Sequence, residues 1–127
     1  EICACLVGSE MCIRDSWKDL FPDTVRKMIV TTDDGSYGIK GFSVSVLPQM
    51  FAEEKVDEAC VCGPAIMMKT AAEMAKTAGV YCEVSVERRM GCGIGTCLGC
   101  VCDKKSGEGH YKVCTDGPVF NAEEVVL

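Results

Sequence analysis

The sequence lacks the features that would place this chain in a membrane or on a nucleic acid. No apolar run approaches the roughly 20 residues that a helix needs to cross a bilayer. Lysine and arginine number 13 against 19 acidic residues, so the net charge is −6 and no basic cluster is available for phosphate contacts. These absences predict a chain that binds neither membranes nor nucleic acids. The hydrophobic content of 48% still allows a buried core.

Two motifs of redox and nucleotide-binding proteins are also absent. No G-x-G-x-x-G follows a predicted strand, so the usual phosphate-binding turn is missing. The single histidine, His110, excludes a Rieske centre, which needs two.

Cysteine, by contrast, is abundant, with 11 residues in 127. Such a content is typical of small secreted proteins with disulfide scaffolds. The odd count argues against that class, and the start of the chain, EICACLV, has neither a basic segment nor the apolar length of a signal peptide. We therefore predict a cytoplasmic protein whose cysteines serve metal binding and packing.

Residues 1–16, EICACLVGSEMCIRDS, fit nothing that follows them. They resemble translated adapter sequence, and the chain starts at Glu1 without a methionine. We predict that residues 1–16 are a non-native leader and that the chain is a fragment. The alternative is a genuine first strand and turn.

Residues 17–86 have the alternating pattern of an α/β domain. Strands are predicted for residues 26–32, 58–62 and 80–86, from their β-branched and apolar residues. The second of these reads as a buried strand. Helical spacing of apolar residues predicts one helix over residues 42–51, shortened or kinked by Pro48, and a second from Pro64 to the capping residue Gly79. The buried face of the second helix is predicted from six residues: Met67, Met68, Ala71, Met74, Ala75 and Ala78.

This order predicts the fold class α/β, with a partial parallel-sheet nucleotide-binding domain over residues 17–86. A small loop-rich domain follows over residues 87–127, where glycine and cysteine dominate.

Four cysteines of that second domain have the spacing of a metal site: Cys92, Cys97, Cys100 and Cys114, written C-x4-C-x2-C-x13-C. The first three match the plant-type 2Fe–2S spacing, in which four thiolates hold two irons. The interleaved glycines allow the chain to wrap around the sulfurs and to direct N–H groups at them. The pattern therefore predicts a one-electron carrier. The fourth ligand is predicted to be Cys114, across the excursion DKKSGEGHYK, with Cys102 as its competitor, and a structural zinc site is the alternative for the whole set.

Two further segments have the character of nucleotide-binding loops. Asp33, Asp34, Gly35 and Ser36 follow a strand, where a carboxylate can accept hydrogen bonds from ribose hydroxyls and would disfavour a 2′-phosphate. Cys62, Gly63 and Pro64 join a strand to a helix N-terminus, which favours anions. An ordinary turn and a plain strand–helix junction remain the alternatives.

Together, MGCGIGTCLGCVC, YKVCTDGPVFNAEEVVL, TDDGSYGIKG and VCGPAIMMK resemble the electron-transfer subunit of NAD-dependent dihydroorotate dehydrogenase, type B, within the ferredoxin–NADP reductase-like superfamily. The resemblance covers about residues 24–127 and implies that the FAD-binding barrel and the first βα unit are missing. It implies that Cys92, Cys97, Cys100 and Cys114 hold the 2Fe–2S cluster. It also implies that residues 33–36 contact the NAD ribose and that residues 62–64 lie beside the nicotinamide.

The resemblance further implies a role in pyrimidine (UMP) biosynthesis. Electrons from dihydroorotate, oxidised at the FMN of a partner catalytic subunit, would pass through the cluster to FAD and NAD+. The implied assembly is a heterotetramer with two copies of each subunit, and the fragment alone is expected to be inactive. The alternatives are a subunit of another NAD(P)H flavin reductase with a ferredoxin-like domain, and a structural zinc-binding module.

Overall fold

The structure is a computed structural model that describes the backbone of Cys3–Val7 and all of residues 27–127. The chain divides into two compact units, Glu1–Glu54 and Lys55–Leu127. Among the described residues, no helix combines the length and the apolar character that a membrane span requires. Of the predicted leader, only Cys3–Val7 is described, and the rest of residues 1–16 lies outside the described residues.

The first unit contains a parallel sheet in the order β1-β2-β3. Its strands are β1 (Cys3–Val7), β2 (Lys27–Thr32) and β3 (Ile39–Lys40). Strand β2 confirms the strand predicted from its β-branched residues. Strand β1 pairs with β2 along its whole length, which is the arrangement expected if the first residues form a genuine strand. Whether residues 1–16 are a non-native leader stays a prediction.

A 3-10 turn at Ser43–Val46 leads into helix α1 (Leu47–Glu53), which buries Met50. The predicted helix over residues 42–51 is therefore shorter than its apolar spacing suggests. Pro48 lies in the first turn of α1. Proline is tolerated there because the first N–H groups of a helix have no intrahelical partner. The proline thus begins the α-helix and does not kink it.

The second unit confirms the predicted strand–helix–strand element. Strands β4 (Glu58–Cys62) and β5 (Tyr81–Ser85) are parallel and are joined by helix α2 (Ala65–Ala78), which ends at Gly79. Alternate residues of β5 are buried because α2 packs against one face of the sheet. The prediction that β4 is a buried strand is wrong. Its residues alternate between exposed and half-buried because successive side chains point to opposite faces of the sheet and α2 packs against one of them.

The third strand of this sheet comes from the C-terminal segment. Strand β8 (Val119–Asn121) pairs antiparallel with β5, so the sheet β4-β5-β8 is mixed and not purely parallel. The shared core contains Val84, Val113, Phe120 and Val125, from both sides of position 87. The predicted boundary between residues 17–86 and 87–127 stays a prediction.

On helix α2, Met68, Ala71 and Ala75 are buried as expected, whereas Ala78 is exposed.

A short hairpin carries the last part of the cysteine motif. Strands β6 (Val101–Asp103) and β7 (His110–Lys112) pair antiparallel and confirm the predicted excursion between Cys100 and Cys114. A single helical turn, α3 (Val113–Asp116), follows β7 directly. The hairpin therefore returns the chain to the cysteine loop immediately before Cys114.

Candidate metal centre and nucleotide-binding segments

The loop between β5 and β6 directs backbone N–H groups at the sulfur of Cys92. The amides of Ile94, Thr96 and Cys97 donate to Cys92 Sγ over 3.4, 3.3 and 3.4 Å. Three converging N–H dipoles make a site for an anionic sulfur, because hydrogen bonds to the charged form stabilise it. The local chain is thus arranged around a thiolate.

The other three predicted ligands are linked to the same loop. Gly99 N donates to Cys97 Sγ, and Cys114 N donates to Cys100 Sγ, both over 3.4 Å. Cys97 is exposed, Cys92 and Cys114 are half-buried, and Cys100 is buried. The structure therefore brings Cys114, from the turn after β7, to the sulfur of Cys100, although 14 residues separate them.

Two glycines pack close to the sulfur of Cys97, so a side chain at either position would press on it. A Cβ added at Gly91 would lie 3.0 Å from Cys97 Sγ, and one at Gly99 would lie 3.4 Å from it. Leu98, between Cys97 and Gly99, has φ 56 and is the one described non-glycine residue in the left-handed region. Such a backbone costs energy and persists only where its surroundings impose it. Four thiolates with amide donors fit an iron–sulfur cluster.

The two ends of the motif differ in thiol acidity. Hydrogen bonds from the Thr96 hydroxyl and from the three loop amides lower the pKa of Cys92 from 9.0 to about 5. The pKa of Cys114 is raised, chiefly by its hydrogen bond with the Cys100 thiol and then by burial, although the Gly95 amide opposes this shift. Cys92 is therefore a thiolate at neutral pH in the metal-free chain.

We expect iodoacetamide to label Cys92 of the metal-free chain with a pH midpoint near 5, because only the thiolate reacts. Its pKa is lower in the folded chain than in the unfolded one, so ionisation favours the folded state. That contribution is complete above pH 9.0 and is lost as the pH falls towards about 5. Peptide mass spectrometry of labelled samples measures the midpoint. Thr96→Val should raise it, and a midpoint near 9.0 in the unsubstituted chain would contradict the expectation.

Cys102 lies on strand β6, opposite Tyr111, and its side chain is 4% exposed. Burial raises the pKa of the Cys102 thiol, but the pKa of Cys114 is raised as well, so thiol acidity does not separate the two. The contact that favours Cys114 as the fourth ligand is the hydrogen bond from its amide to Cys100 Sγ.

The segment 33–36 is held by the residue that precedes it. The buried hydroxyl of Thr32 donates to the carbonyl of Tyr37 over 2.9 Å, and the Thr32 carbonyl accepts from Gly35 N and Gly41 N. Ser36 N donates to Asp34 Oδ1 over 2.8 Å, which closes an Asx turn. All four predicted contact residues of this segment are exposed. The loop thus presents two carboxylates to solvent at the carboxyl end of β2.

The segment 62–64 belongs to the other compact unit. Cys62 ends β4 and is exposed, and Pro64 precedes the first turn of α2, where its carbonyl accepts from Met68 N over 3.0 Å. A Cβ added at Gly63 would overlap the Met67 side chain. Only glycine therefore fits this junction with Met67 in its present place.

A separate group of ligand atoms occurs on the sheet of the same unit. Glu58, Cys60 and Glu83 hold one carboxylate or thiol atom each within 4.8 Å of one another, because Cys60 and Glu83 are register partners of β4 and β5. Burial, followed by the charges of Glu58 and Glu83, raises the pKa of Cys60. It is the one such group of three in the described part of the chain.

Three side chains that organise these segments had no role assigned from the sequence. Thr32 fixes the loop after β2, Thr96 acts on Cys92, and the Asp116 carboxylate accepts from Lys112 N over 2.7 Å. Threonine before Asp-Asp-Gly is a turn signal that could have identified Thr32. Nothing local marks Thr96 or Asp116, because their partners are set by the path of the loop.

Comparisons with known proteins agree with these features. A family model, the iron–sulfur cluster binding domain of dihydroorotate dehydrogenase B, matches residues 87–126. The dihydroorotate dehydrogenase B (NAD(+)) electron transfer subunit of Caldanaerobacter subterraneus subsp. tengcongensis is 46% identical over 80% of this chain and 41% of its own length. The subunit of the same name from Clostridium perfringens is 42% identical over 84% of this chain and 41% of its own.

A solved structure is similar as well. It is a chain from the structure of NADH-dependent reduced ferredoxin–NADP oxidoreductase, with a TM-score of 0.75 and 28% identity over 97% of this chain and 53% of that one. This likeness and the strand order confirm the α/β class. The chain spans about two fifths of the length of the curated relatives it matches. The chain is thus similar to the electron-transfer subunits of dihydroorotate dehydrogenase B, and its residues 87–126 match the iron–sulfur cluster binding domain of that enzyme.

Proposed function

We propose that this chain is the one-electron relay of a flavin-linked oxidoreductase, with a 2Fe–2S cluster held by Cys92, Cys97, Cys100 and Cys114. The observation that carries the proposal is the set of backbone amides that converge on Cys92 Sγ, joined by the amides donated to Cys97 and Cys100. Amide donors stabilise negative charge on ligand sulfurs and help to set a cluster's reduction potential. When bound, the cluster supplies single-electron chemistry between two-electron partners.

In this proposal, the residues of the chain position the ligand sulfurs and stabilise their negative charge. The loop orients the sulfurs, the three amides stabilise charge at Cys92, and the buried position of Cys100 excludes water on one side. No general acid or base is required for electron transfer. The proposed role is accordingly that of an electron-transfer subunit and not of a catalytic centre.

The sulfur positions bear on the alternative of a structural zinc site. Four thiolates on one zinc, at about 2.3 Å each, would place their sulfurs about 3.8 Å apart. Within residues 27–127, no three of the four sulfurs lie within 4.8 Å of one another. A 2Fe–2S cluster spreads its four ligands over two irons, so it does not require one common centre. This spread favours iron–sulfur over zinc.

Anaerobic purification of the chain tests the proposal directly. We expect a reddish-brown protein with about two irons and two sulfides per chain, visible absorbance that bleaches with dithionite, and a paramagnetic signal after reduction. A colourless protein with one zinc per chain would contradict the proposal and support the alternative of a structural zinc-binding module. Reconstitution with iron and sulfide distinguishes a cluster lost during purification from a site that cannot hold one.

We extend the proposal to the nucleotide-binding segments and the partner. Asp33, Asp34, Gly35 and Ser36 would contact the ribose of NAD, and residues 62–64 would lie beside the nicotinamide, with FAD bound by the part of the full-length relatives that this chain does not span. The proposed donor is an FMN-containing dihydroorotate dehydrogenase subunit, in an assembly of two copies each, within pyrimidine biosynthesis in the cytoplasm. The exposed carboxylates after β2 and the names of the similar proteins support this extension.

A full-length homologue tests the partner. We expect it to co-purify with an FMN-containing subunit and to reduce NAD+ when dihydroorotate is supplied. Purification without such a subunit, together with NAD(P)H-dependent reduction of a ferredoxin, would favour the alternative of another flavin reductase. The similarity of this chain to the structure of a ferredoxin–NADP oxidoreductase supports the alternative of another flavin reductase.

A further inference from the structure

We propose that Asp116 is the positioning residue for Cys114. This inference rests on the proposed function, because it takes Cys114 as a cluster ligand. Cys114 is the one predicted ligand outside the loop of residues 92–100, so a separate device must hold it. The turn α3 that carries Cys114 has only four residues and therefore little intrinsic stability.

The Asp116 carboxylate closes this turn from both sides of Cys114. Its Oδ2 accepts from Lys112 N, before the turn, over 2.7 Å, and its Oδ1 accepts from the Thr115 hydroxyl over 3.3 Å. The first of these is a short charge-assisted bond to a backbone amide at the turn's start, the role that a capping side chain has in longer helices. Asp116 thus fixes the chain from residue 112 to residue 116.

The turn held in this way makes three contacts with the rest of the site. At its start, Val113 N donates to the Cys100 carbonyl over 3.1 Å, and Cys114 N donates to Cys100 Sγ over 3.4 Å. At its end, Thr115 packs against Gly95, where an added Cβ would lie 3.0 Å from the Thr115 methyl group. Gly95 lies between Cys92 and Cys97, so the turn is fitted against the loop that bears the other ligands. A shift of Thr115 or Lys112 would therefore move Cys114 relative to Cys100 and to the loop that bears the other ligands.

Two substitutions separate the hydrogen bonds of Asp116 from its charge. Asp116→Asn keeps one oxygen that can accept from Lys112 N, replaces the other by an NH2 group that can donate to the Thr115 hydroxyl, and removes the charge, whereas Asp116→Ala removes the hydrogen bonds and the charge. Glu123→Ala and Glu123→Gln are matched controls, because Glu123 is an exposed carboxylate of the same unit that pairs with Lys76 over 2.9 Å. Each variant is made in the full chain and purified without air.

We expect Asp116→Ala to shorten the half-life of the visible absorbance in the presence of a chelator by about tenfold, from the loss of a charged hydrogen bond. Asp116→Asn should stay within about twofold of the unsubstituted chain, and its midpoint potential should be more positive because a negative charge is gone. The Glu123 variants should change neither quantity. An Ala variant as long-lived as the Glu123 controls, or an Asn variant as short-lived as the Ala variant, would overturn the proposal.

Amide exchange keeps the proposal testable even without a cluster. In the metal-free chain, Asp116→Ala should speed exchange of the Lys112 and Cys114 amides by about tenfold, whereas Asp116→Asn should not. Unchanged exchange in the Ala variant would show that Asp116 does not hold the turn. An unsubstituted chain that cannot be loaded with iron and sulfide would instead defeat the proposed function, so the two failures are distinguishable.

Discussion

Cys114→Ala is expected to abolish the 2Fe–2S spectrum, whereas Cys102→Ala is expected to leave it intact. The reason is the placement of the two thiols. Cys114 N donates to Cys100 Sγ, so the turn brings Cys114 to the ligand loop. Cys102 is buried on β6, in register with Tyr111 of β7, and does not lie in the turn that meets Cys100. Removal of a hydrogen-bond partner behind a metal ligand typically costs about 10–100-fold in affinity, and removal of the ligand itself should cost more.

The measurement is iron, sulfide and visible absorbance per chain after anaerobic purification. Cys102→Ala serves as the matched control, because it removes the same group from the same hairpin region and should cost about 1 kcal/mol through a small buried cavity. Normal colour in Cys114→Ala, together with loss of colour in Cys102→Ala, would transfer the fourth ligand to Cys102. Loss of colour in Cys92→Ala, Cys97→Ala and Cys100→Ala is expected in either case.

Gly38→Ala is expected to destabilise the first unit by about 3 kcal/mol, the sum of a left-handed backbone penalty and an overpacking penalty. Gly38 has φ 70, in the turn between β2 and β3. An added Cβ would overlap the carbonyl oxygen of Val30, and it would lie 3.2 Å from the Val30 Cβ. Because the overlap is with backbone, no side-chain rotation relieves it. The substitution should therefore displace the loop 33–36 and, in a full-length homologue, weaken NAD binding.

Gly107→Ala is the matched control for the backbone penalty alone. Gly107 has φ 81 and no atom within 4 Å of an added Cβ, so its substitution should cost about 1 kcal/mol. Urea unfolding compares the two variants, with amide exchange of β2 as the local probe for Gly38→Ala and of the β6–β7 hairpin for Gly107→Ala. Equal losses would mean that the Val30 contact adds nothing to the cost at Gly38. Cluster content should be unchanged in Gly38→Ala, because residue 38 lies outside the unit that carries the cysteines.

Elements with a regular pattern could be predicted from the sequence. The residues of β2, β4, α2 and β5 have the period expected for their structure, and the glycine that ends α2 stands at the predicted position. The predictions were wrong where the burial or the length of an element depends on the residues and elements around it. Strand β4 has the composition of a buried strand, but α2 packs against one face of its sheet, so alternate residues on the other face are exposed. Pro48 limits an apolar run that would otherwise predict a longer helix.

The cysteine site also has features that the sequence predicts and features that depend on the fold. The spacing of Cys92, Cys97 and Cys100 indicates a cluster loop, since a short loop must direct its own amides at its own sulfurs. The contribution of Thr96 to Cys92 depends on how that loop turns. The partners of Asp116 lie within four residues of it, whereas the role of Gly95 depends on contact with Thr115, which is distant in sequence. No local pattern encodes such contacts.

The sequence by itself determined the class of fold and indicated the three-cysteine loop, because each depends on residues close together in the chain. The nucleotide-binding character of residues 33–36 and 62–64 stays a prediction. Only the tertiary structure decided that β8 completes the sheet of β4 and β5 and that Cys114 meets Cys100. These two outcomes share one physical reason. Each is set by which segments pack together, and packing depends on the burial of apolar side chains from the whole unit and not on any local spacing.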